Sequence, residues 1–310
     1  MLYSIISLTA GLAILVYSAN KMINSANLIA NHFNLSPMLI GLTIIAFGTS
    51  APELAITVIA ATNSPPNIDA IIGNVIGSNI ANILLVLGFA GLFFKLDLSK
   101  LSKKDNFYLG LITVYFIVIF FLFDGINIFT NTGFIFLILF FINYIKNFKS
   151  IINNSDNLNF SAINYLYLLL SFLGLFFGGK LFLDNSLSIF LSLGVSEAVI
   201  GITVLAIGTS LPELATVVIS YIKKSGEIGI GNIIGSNMMN ILFVFFPGTI
   251  IVQLRQYDFS LSAIDTNPLI ILLLATLVII FMSLSKTSLT KWTSVLFLLS
   301  YLACGVWIFI

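Results

Sequence analysis

The sequence predicts an all-α membrane protein of ten transmembrane helices, arranged as two inverted five-helix repeats in which helices 2 and 7 are broken. Three observations point there. Of 310 residues, 59% are hydrophobic and 8% charged, with a mean hydropathy of +1.11, a composition that no soluble domain of this length sustains. Ten apolar stretches approach or exceed the ~20 residues needed to cross ~30 Å of hydrocarbon. Two sequence blocks also occur twice, in the same order.

Residues 3–28 form the first stretch. It has neither a basic n-region nor an A-x-A cleavage site, so it reads as a retained first helix and not a signal peptide. The second, 36–62, carries Gly-Thr-Ser-Ala-Pro-Glu at 48–53. Pro52 has no N–H and its ring clashes with the carbonyl of Gly48, so the helix should break there. Stretches 68–94, 106–123 and 127–146 complete a first repeat, residues 1–146, with its duplicated motif at 41–84. A polar linker, 147–161, follows. The second repeat, 162–310, contains stretches 162–188, 196–222, 227–252, 267–284 and 290–309, with its motif at 201–242; Gly-Thr-Ser-Leu-Pro-Glu recurs at 208–213. Residues 41–55 match 201–215 at 10 of 15 positions, and 72–84 match 230–242 at 10 of 13. Five spans is an odd number, so the second half should enter the membrane upside down relative to the first.

The net charge of +1 carries no information about partners, and no basic patch suggests nucleic acid. The placement of the charges is informative. With the N-terminus outside, 11 basic residues fall on the cytoplasmic side (Lys21, Lys95, Lys100, Lys103, Lys104, Lys146, Lys149, Lys223, Lys224, Lys286, Lys291) and only Lys180 and Arg255 outside, which accounts for all 13. That bias predicts a multi-pass protein of the cell membrane with both termini outside and the 147–161 loop in the cytoplasm. The lone Cys304 excludes an internal disulfide, and the lone His32 excludes a histidine-built metal site. They read as a small apolar residue and an interfacial one.

Glu53 and Glu213 lie well inside predicted spans, with no Lys or Arg left at that depth to pair with them. A charge at the bilayer centre costs about 2.5–3.5 kcal/mol on insertion scales, so a bound cation or a proton must offset each carboxylate. On a helix, Thr49 (i, i+4) and Ser50 (i, i+3) would share a face with Glu53, and Thr209 and Ser210 with Glu213. A break at this depth frees backbone carbonyls where they can coordinate a cation. The third and eighth stretches carry polar stripes at i, i+4, i+8: Asn74, Ser78, Asn82 and Asn232, Ser236, Asn240. Beside them run small residues, Gly73, Gly77, Ala81 and Gly231, Gly235, which permit close helix approach. Asn74, Asn79, Asn232 and Asn237 read mainly as groups that join helices. Ser78, Asn82, Ser236 and Asn240 read as members of a site. The donors are all oxygen, which suits Ca²⁺ and Na⁺ and argues against zinc or copper. No resident cofactor is expected. Neither a Ser–His pair nor a paired-Asp motif lies in the spans, so an enzyme is not expected either.

The duplicated GTS-x-PE and GN-x-IGSN-x-x-N blocks resemble the two alpha repeats of the calcium/cation antiporter superfamily, and the ten-span layout resembles the prokaryotic sodium/calcium exchangers. The resemblance covers essentially the whole chain, and its motifs recur at similar separation, 29 residues from Glu53 to Asn82 and 27 from Glu213 to Asn240. It implies that Glu53 and Glu213 bind Ca²⁺ with the backbone carbonyls of Thr49 and Thr209. It further implies that Na⁺ occupies flanking positions made by Ser50, Ser78, Ser210, Ser236 and the carbonyls of Ala46 and Ala206, while Asn82 and Asn240 line the centre. Some relatives carry Asp where this chain has Asn240, a feature associated with potassium-dependent exchangers and with certain prokaryotic ones; Asn leaves only two carboxylates, which argues against potassium cotransport. The implied activity is exchange of Na⁺ for Ca²⁺ by alternating access, in which the first and sixth spans slide across the rest. The oxygen set alone does not choose the counter-ion: a Ca²⁺/H⁺ antiporter using the same glutamates is the alternative, and a cation channel a more distant one. The sequence is silent on oligomeric state.

Overall fold

The computed structural model describes residues 2–123, 125–146, 161–192, 210–261 and 266–309. Among them are fourteen α-helical segments: α1 (Leu2–His32), α2 (Pro37–Ile40), α3 (Ala46–Thr49), α4 (Ala51–Thr62), α5 (Ile68–Ile80), α6 (Gly88–Phe93), α7 (Lys103–Leu122), α8 (Ile128–Lys146), α9 (Ile163–Ser192), α10 (Leu211–Ile222), α11 (Gly226–Met239), α12 (Phe246–Leu254), α13 (Asn267–Leu284) and α14 (Lys291–Phe309). Three π-wound stretches, Gly41–Ile45, Ala81–Leu87 and Asn240–Phe245, join α2 to α3, α5 to α6 and α11 to α12. Six helical spans are long and apolar enough to cross a membrane, and a seventh if the bent pair Pro37–Thr49 and Ala51–Thr62 counts as one. The chain is a multi-pass membrane protein. Of the remaining expected spans, 127–146 and 290–309 correspond to α8 and α14, whereas 196–222 lies partly outside the described residues.

Local chemistry moves several boundaries. The helix expected at 106–123 begins at Lys103, because Ser102 and Asp105 form a reciprocal cap: the Asp105 N–H donates to Ser102 Oγ at 3.2 Å and the Ser102 N–H to Asp105 Oδ2 at 2.6 Å. Tyr144 of α8 donates its hydroxyl to the same carboxylate, so the cap also fixes α8 beside α7. Helix α1 runs to His32, where Asn34 at φ 52° turns the chain and the Leu35 N–H closes on the Ala30 carbonyl at 2.8 Å. Lys21, counted with the cytoplasmic loop charges although it falls in the 3–28 stretch, lies within α1. Its ammonium sits 5.7 Å from the Tyr17 ring and 5.3 Å from that of Tyr167, where aromatic faces compensate a charge on an apolar helix.

An all-α reading also misses two short antiparallel clips. In one, β1 (Leu96–Asp97) pairs with β4 (Ser288–Leu289), with Leu96 opposite Leu289; in the other, β2 (Gly125–Ile126) pairs with β3 (Phe259–Ser260). Two-residue strands carry no sequence periodicity, and each pairs with a partner more than a hundred residues away.

Helix α1 lies along α9. The contact is backbone-close: a Cβ at Gly11 would stand 2.7 Å from the Phe182 nitrogen, and one at Gly178 3.1 Å from the Gly11 carbonyl. Association in lipid gains little from apolar burial between helices, so small residues that admit close packing do most of this work. These two helices share an apolar cluster with α2 and α10, built on Leu15, Met22, Ile23, Ile40, Leu175 and Leu211, separate from the larger cluster that holds α5, α7, α8, α11 and α13 together. Arg255, just past α12, donates to the carbonyls of Ala61 at 2.8 Å and Asn63 at 2.5 Å and to Ser64 Oγ at 2.8 Å. It thereby satisfies the C-terminal carbonyls of α4.

Candidate cation site

The site forms where the helix break of the first half meets α5, α10 and α11. The break falls at Ser50 (φ −81°, ψ 5°), two residues before Pro52, and the run Pro37–Thr49 and α4 diverge by 42°. Pro52 occupies the first turn of α4, where its missing N–H would have had no helical partner in any case, so the bend concentrates just ahead of it. Ser210 has the matching geometry (φ −90°, ψ 7°) at the start of α10. Thr49 and Glu53 consequently do not share one continuous helix. The amide that would bond the Thr49 carbonyl in an unbroken helix, that of Glu53, lies against its own carboxylate. The Ala46 carbonyl is not freed: it accepts from the Ser50 N–H at 3.0 Å and from the Thr49 hydroxyl at 3.3 Å. Thr209 and Ala206 fall outside the described residues.

Both carboxylates are about 1% exposed, and they lie close enough to repel each other. Ser78 of α5 lies beside the Glu53 carboxylate, and Thr49 beside that of Glu213. The Thr49 hydroxyl also meets Asn232 Oδ1 at 2.9 Å and Ser236 Oγ at 3.2 Å. Asn74 secures α4 to α5 by donating to the Glu53 carbonyl at 2.8 Å and to Thr57 Oγ1 at 3.0 Å. Thr57 was not singled out in the sequence because its counterpart in the second half is Val217.

Asn82 and Asn240 lie at the beginning of the π-wound stretches that follow α5 and α11, second in one and first in the other. Asn82 Nδ2 donates to Asn237 Oδ1 and Asn240 Nδ2 to Asn79 Oδ1, both at 3.0 Å. Asn79 and Asn237, read from sequence as helix-joining groups, do join α5 to α11: each donates its Nδ2 to the other's backbone carbonyl at 3.2 Å. The small-residue ridge acts on one side. A Cβ at Gly231 would stand 2.6 Å from the Met38 carbonyl, and one at Gly235 2.4 Å from that of Leu42, so α11 packs backbone to backbone against the segment leading to the break. Gly73 and Gly77 have no comparable neighbour among the described residues.

The result is a concentration of acceptors. Ser50 Oγ, Glu53 Oε2, Asn82 Oδ1, Ser210 Oγ, both Glu213 carboxylate oxygens and Asn240 Oδ1 are buried without a hydrogen-bond partner. Buried oxygens are costly to leave unpaired, and a set of this kind pairs naturally with a hard cation. Among the described residues no group of three or more His, Cys, Asp or Glu side chains gathers in one place, so the charge at the site comes from two carboxylates.

The family model described as sodium/calcium exchanger protein matches residues 3–147 and 163–310. The putative antiporter CaxA of Alkalimonas amylolytica is 35% identical over 297 residues, covering 92% of this chain and 91% of that one. The sodium/calcium exchanger MaX1 of Methanosarcina acetivorans is 30% identical over 360 residues, with 97% of each chain covered. Among solved structures, the sodium-calcium exchanger NCX_Mj soaked with Na⁺ and Ca²⁺ superposes with a TM-score of 0.79 at 27% identity, covering 98% of this chain and 97% of that chain.

Proposed function

This chain belongs to the sodium/calcium exchanger protein family, and from that premise we propose that it is a secondary antiporter exporting Ca²⁺ against Na⁺ influx by alternating access, with Ca²⁺ held between Glu53 and Glu213. The observation that carries this reading is the set of seven buried, unpartnered oxygens on Ser50, Glu53, Asn82, Ser210, Glu213 and Asn240. Two carboxylates neutralise one Ca²⁺. Sodium ions compete for the same oxygens, so the two cargoes bind in alternation. The Thr49 carbonyl and its counterpart at Thr209 complete the Ca²⁺ shell. Ser50, Ser78, Ser210 and Ser236 serve Na⁺, as does the carbonyl of Ala206. The Ala46 carbonyl, already bonded twice, joins them only if the Thr49 hydroxyl turns away.

The inverted-repeat architecture, residues 1–146 and 162–310, belongs to the same proposal. The two strand clips support it. A strand pair forms only between loops at the same face of the membrane, so an even number of spans must separate its members. On the ten-span count β1 and β4 are six spans apart, and β2 and β3 four. Exchanging the halves maps one clip onto the other, since β1 and β3 follow the third span of their repeat and β2 and β4 precede the fifth. Each clip then caps one face of the molecule.

Two measurements test the reading. In proteoliposomes, radiocalcium uptake is expected under an outward Na⁺ gradient and not under an outward H⁺ gradient at matched membrane potential. Uptake driven only by protons would overturn sodium coupling, and current without any counter-ion gradient would point to a channel. For the orientation, in a Cys304→Ala background, Lys103→Cys should react with an impermeant maleimide only from the cytoplasm, and Pro65→Cys only from outside. Labelling of both from one side would sink the inverted arrangement.

A further inference from the structure

We propose that Asn79 and Asn237 are positioning residues that set the polarity of the two central amides, holding Asn240 and Asn82 with their oxygens toward the cation path; this rests on the exchanger reading above. The two ends of a side-chain amide are nearly equal in size, so packing does not choose between them. For a cation the choice is decisive, because the NH₂ end repels it. Here both donor ends are already taken: Asn82 Nδ2 by Asn237 Oδ1 and Asn240 Nδ2 by Asn79 Oδ1, each at 3.0 Å. The accepting oxygens are themselves fixed, because Asn79 and Asn237 donate reciprocally to each other's backbone carbonyl at 3.2 Å. All four side chains are at most 1% exposed, so their polar atoms look to the protein for partners. What remains is Asn82 Oδ1 and Asn240 Oδ1, buried and unpartnered. The clasp that joins α5 to α11 thus also determines which atom of each central amide a cation meets.

The test separates this role from simple helix joining, and it reads Ca²⁺ binding to purified protein by titration calorimetry, which does not depend on the counter-ion. Asn237→Ala frees the Asn82 amide to turn and is expected to weaken Ca²⁺ binding about tenfold or more. A carboxylate presents oxygen either way round. In the Asn82→Asp background, adding Asn237→Ala should therefore change affinity by no more than about threefold. An equal loss in both backgrounds would overturn the proposal, since damage to a merely structural joint is not rescued by the chemistry of residue 82. Where Asn237→Ala does not yield monodisperse protein, Asn79→Ala with Asn240→Asp gives the symmetric comparison. A parent chain that binds Ca²⁺ but shows no sodium-driven uptake sinks the functional reading alone. A parent that binds Ca²⁺ while Asn237→Ala binds it equally well sinks the clasp alone.

Discussion

Glu53→Gln and Glu213→Gln are each expected to abolish sodium-driven Ca²⁺ uptake while leaving a folded, monodisperse protein. Both carboxylates are buried and mutually close, and three of their four oxygens have no hydrogen-bond partner. A divalent ion between them is a buried charge cluster. Removing one partner from such a cluster costs about 3–5 kcal/mol, a loss of about a hundredfold or more in affinity. Folding should survive, because a neutral amide costs less in an apolar interior than the carboxylate it replaces. Initial radiocalcium uptake beside size-exclusion profiles decides the matter. Robust exchange by either variant would rule out the paired-carboxylate site, whereas aggregation would place the carboxylates in the fold and not in transport.

Gly235→Leu is the second large effect. Its Cβ would stand 2.4 Å from the Leu42 carbonyl oxygen and 2.7 Å from the Ala46 Cβ, and neither atom is the end of a flexible side chain. The segment leading to the Ser50 break must move away from α11, at an overpacking cost on the order of 1–3 kcal/mol or more. Thr49 moves with it and loses its bonds to Asn232 and Ser236, so the damage reaches the Glu213 carboxylate that Thr49 also contacts. Uptake should fall about tenfold or more, with Gly235→Ala intermediate. Parental uptake by Gly235→Leu would show that the segment is not held by this contact.

Much of the membrane architecture was legible because hydropathy is additive along the chain. The long spans at α1, α7, α9 and α13 stand where apolar runs of sufficient length occur, and the errors lie at their ends, where caps override hydropathy. Ser102 and Asp105 start α7 three residues early, and α1 carries Lys21 inside it by giving the ammonium two aromatic faces. The candidate site was legible by residue type and less so by atom. Thr49 was named for its proximity to Glu53 on one helix face, yet the break at Ser50 sends its hydroxyl across to α11. Ala46 was named for a carbonyl that the structure shows already bonded. Asn79 and Asn237 were classed as joints, although both recur in the duplicated block three residues before Asn82 and Asn240, a spacing that puts each pair on one helix face.

By itself, then, the sequence determined that the chain lives in a membrane, that it is duplicated, and that its two intramembrane glutamates sit in matching contexts. These properties follow from composition and from identity between segments, which need no knowledge of what touches what. Tertiary structure alone decided which glycines bring two backbones together, which loops pair as strands, and which end of each central amide is left free. Each of these depends on a partner distant in sequence, 158 residues for Asn79 and Asn237. A hydrogen bond between such groups is selected by the three-dimensional accounting of buried donors and acceptors, to which neither residue's neighbours in sequence contribute.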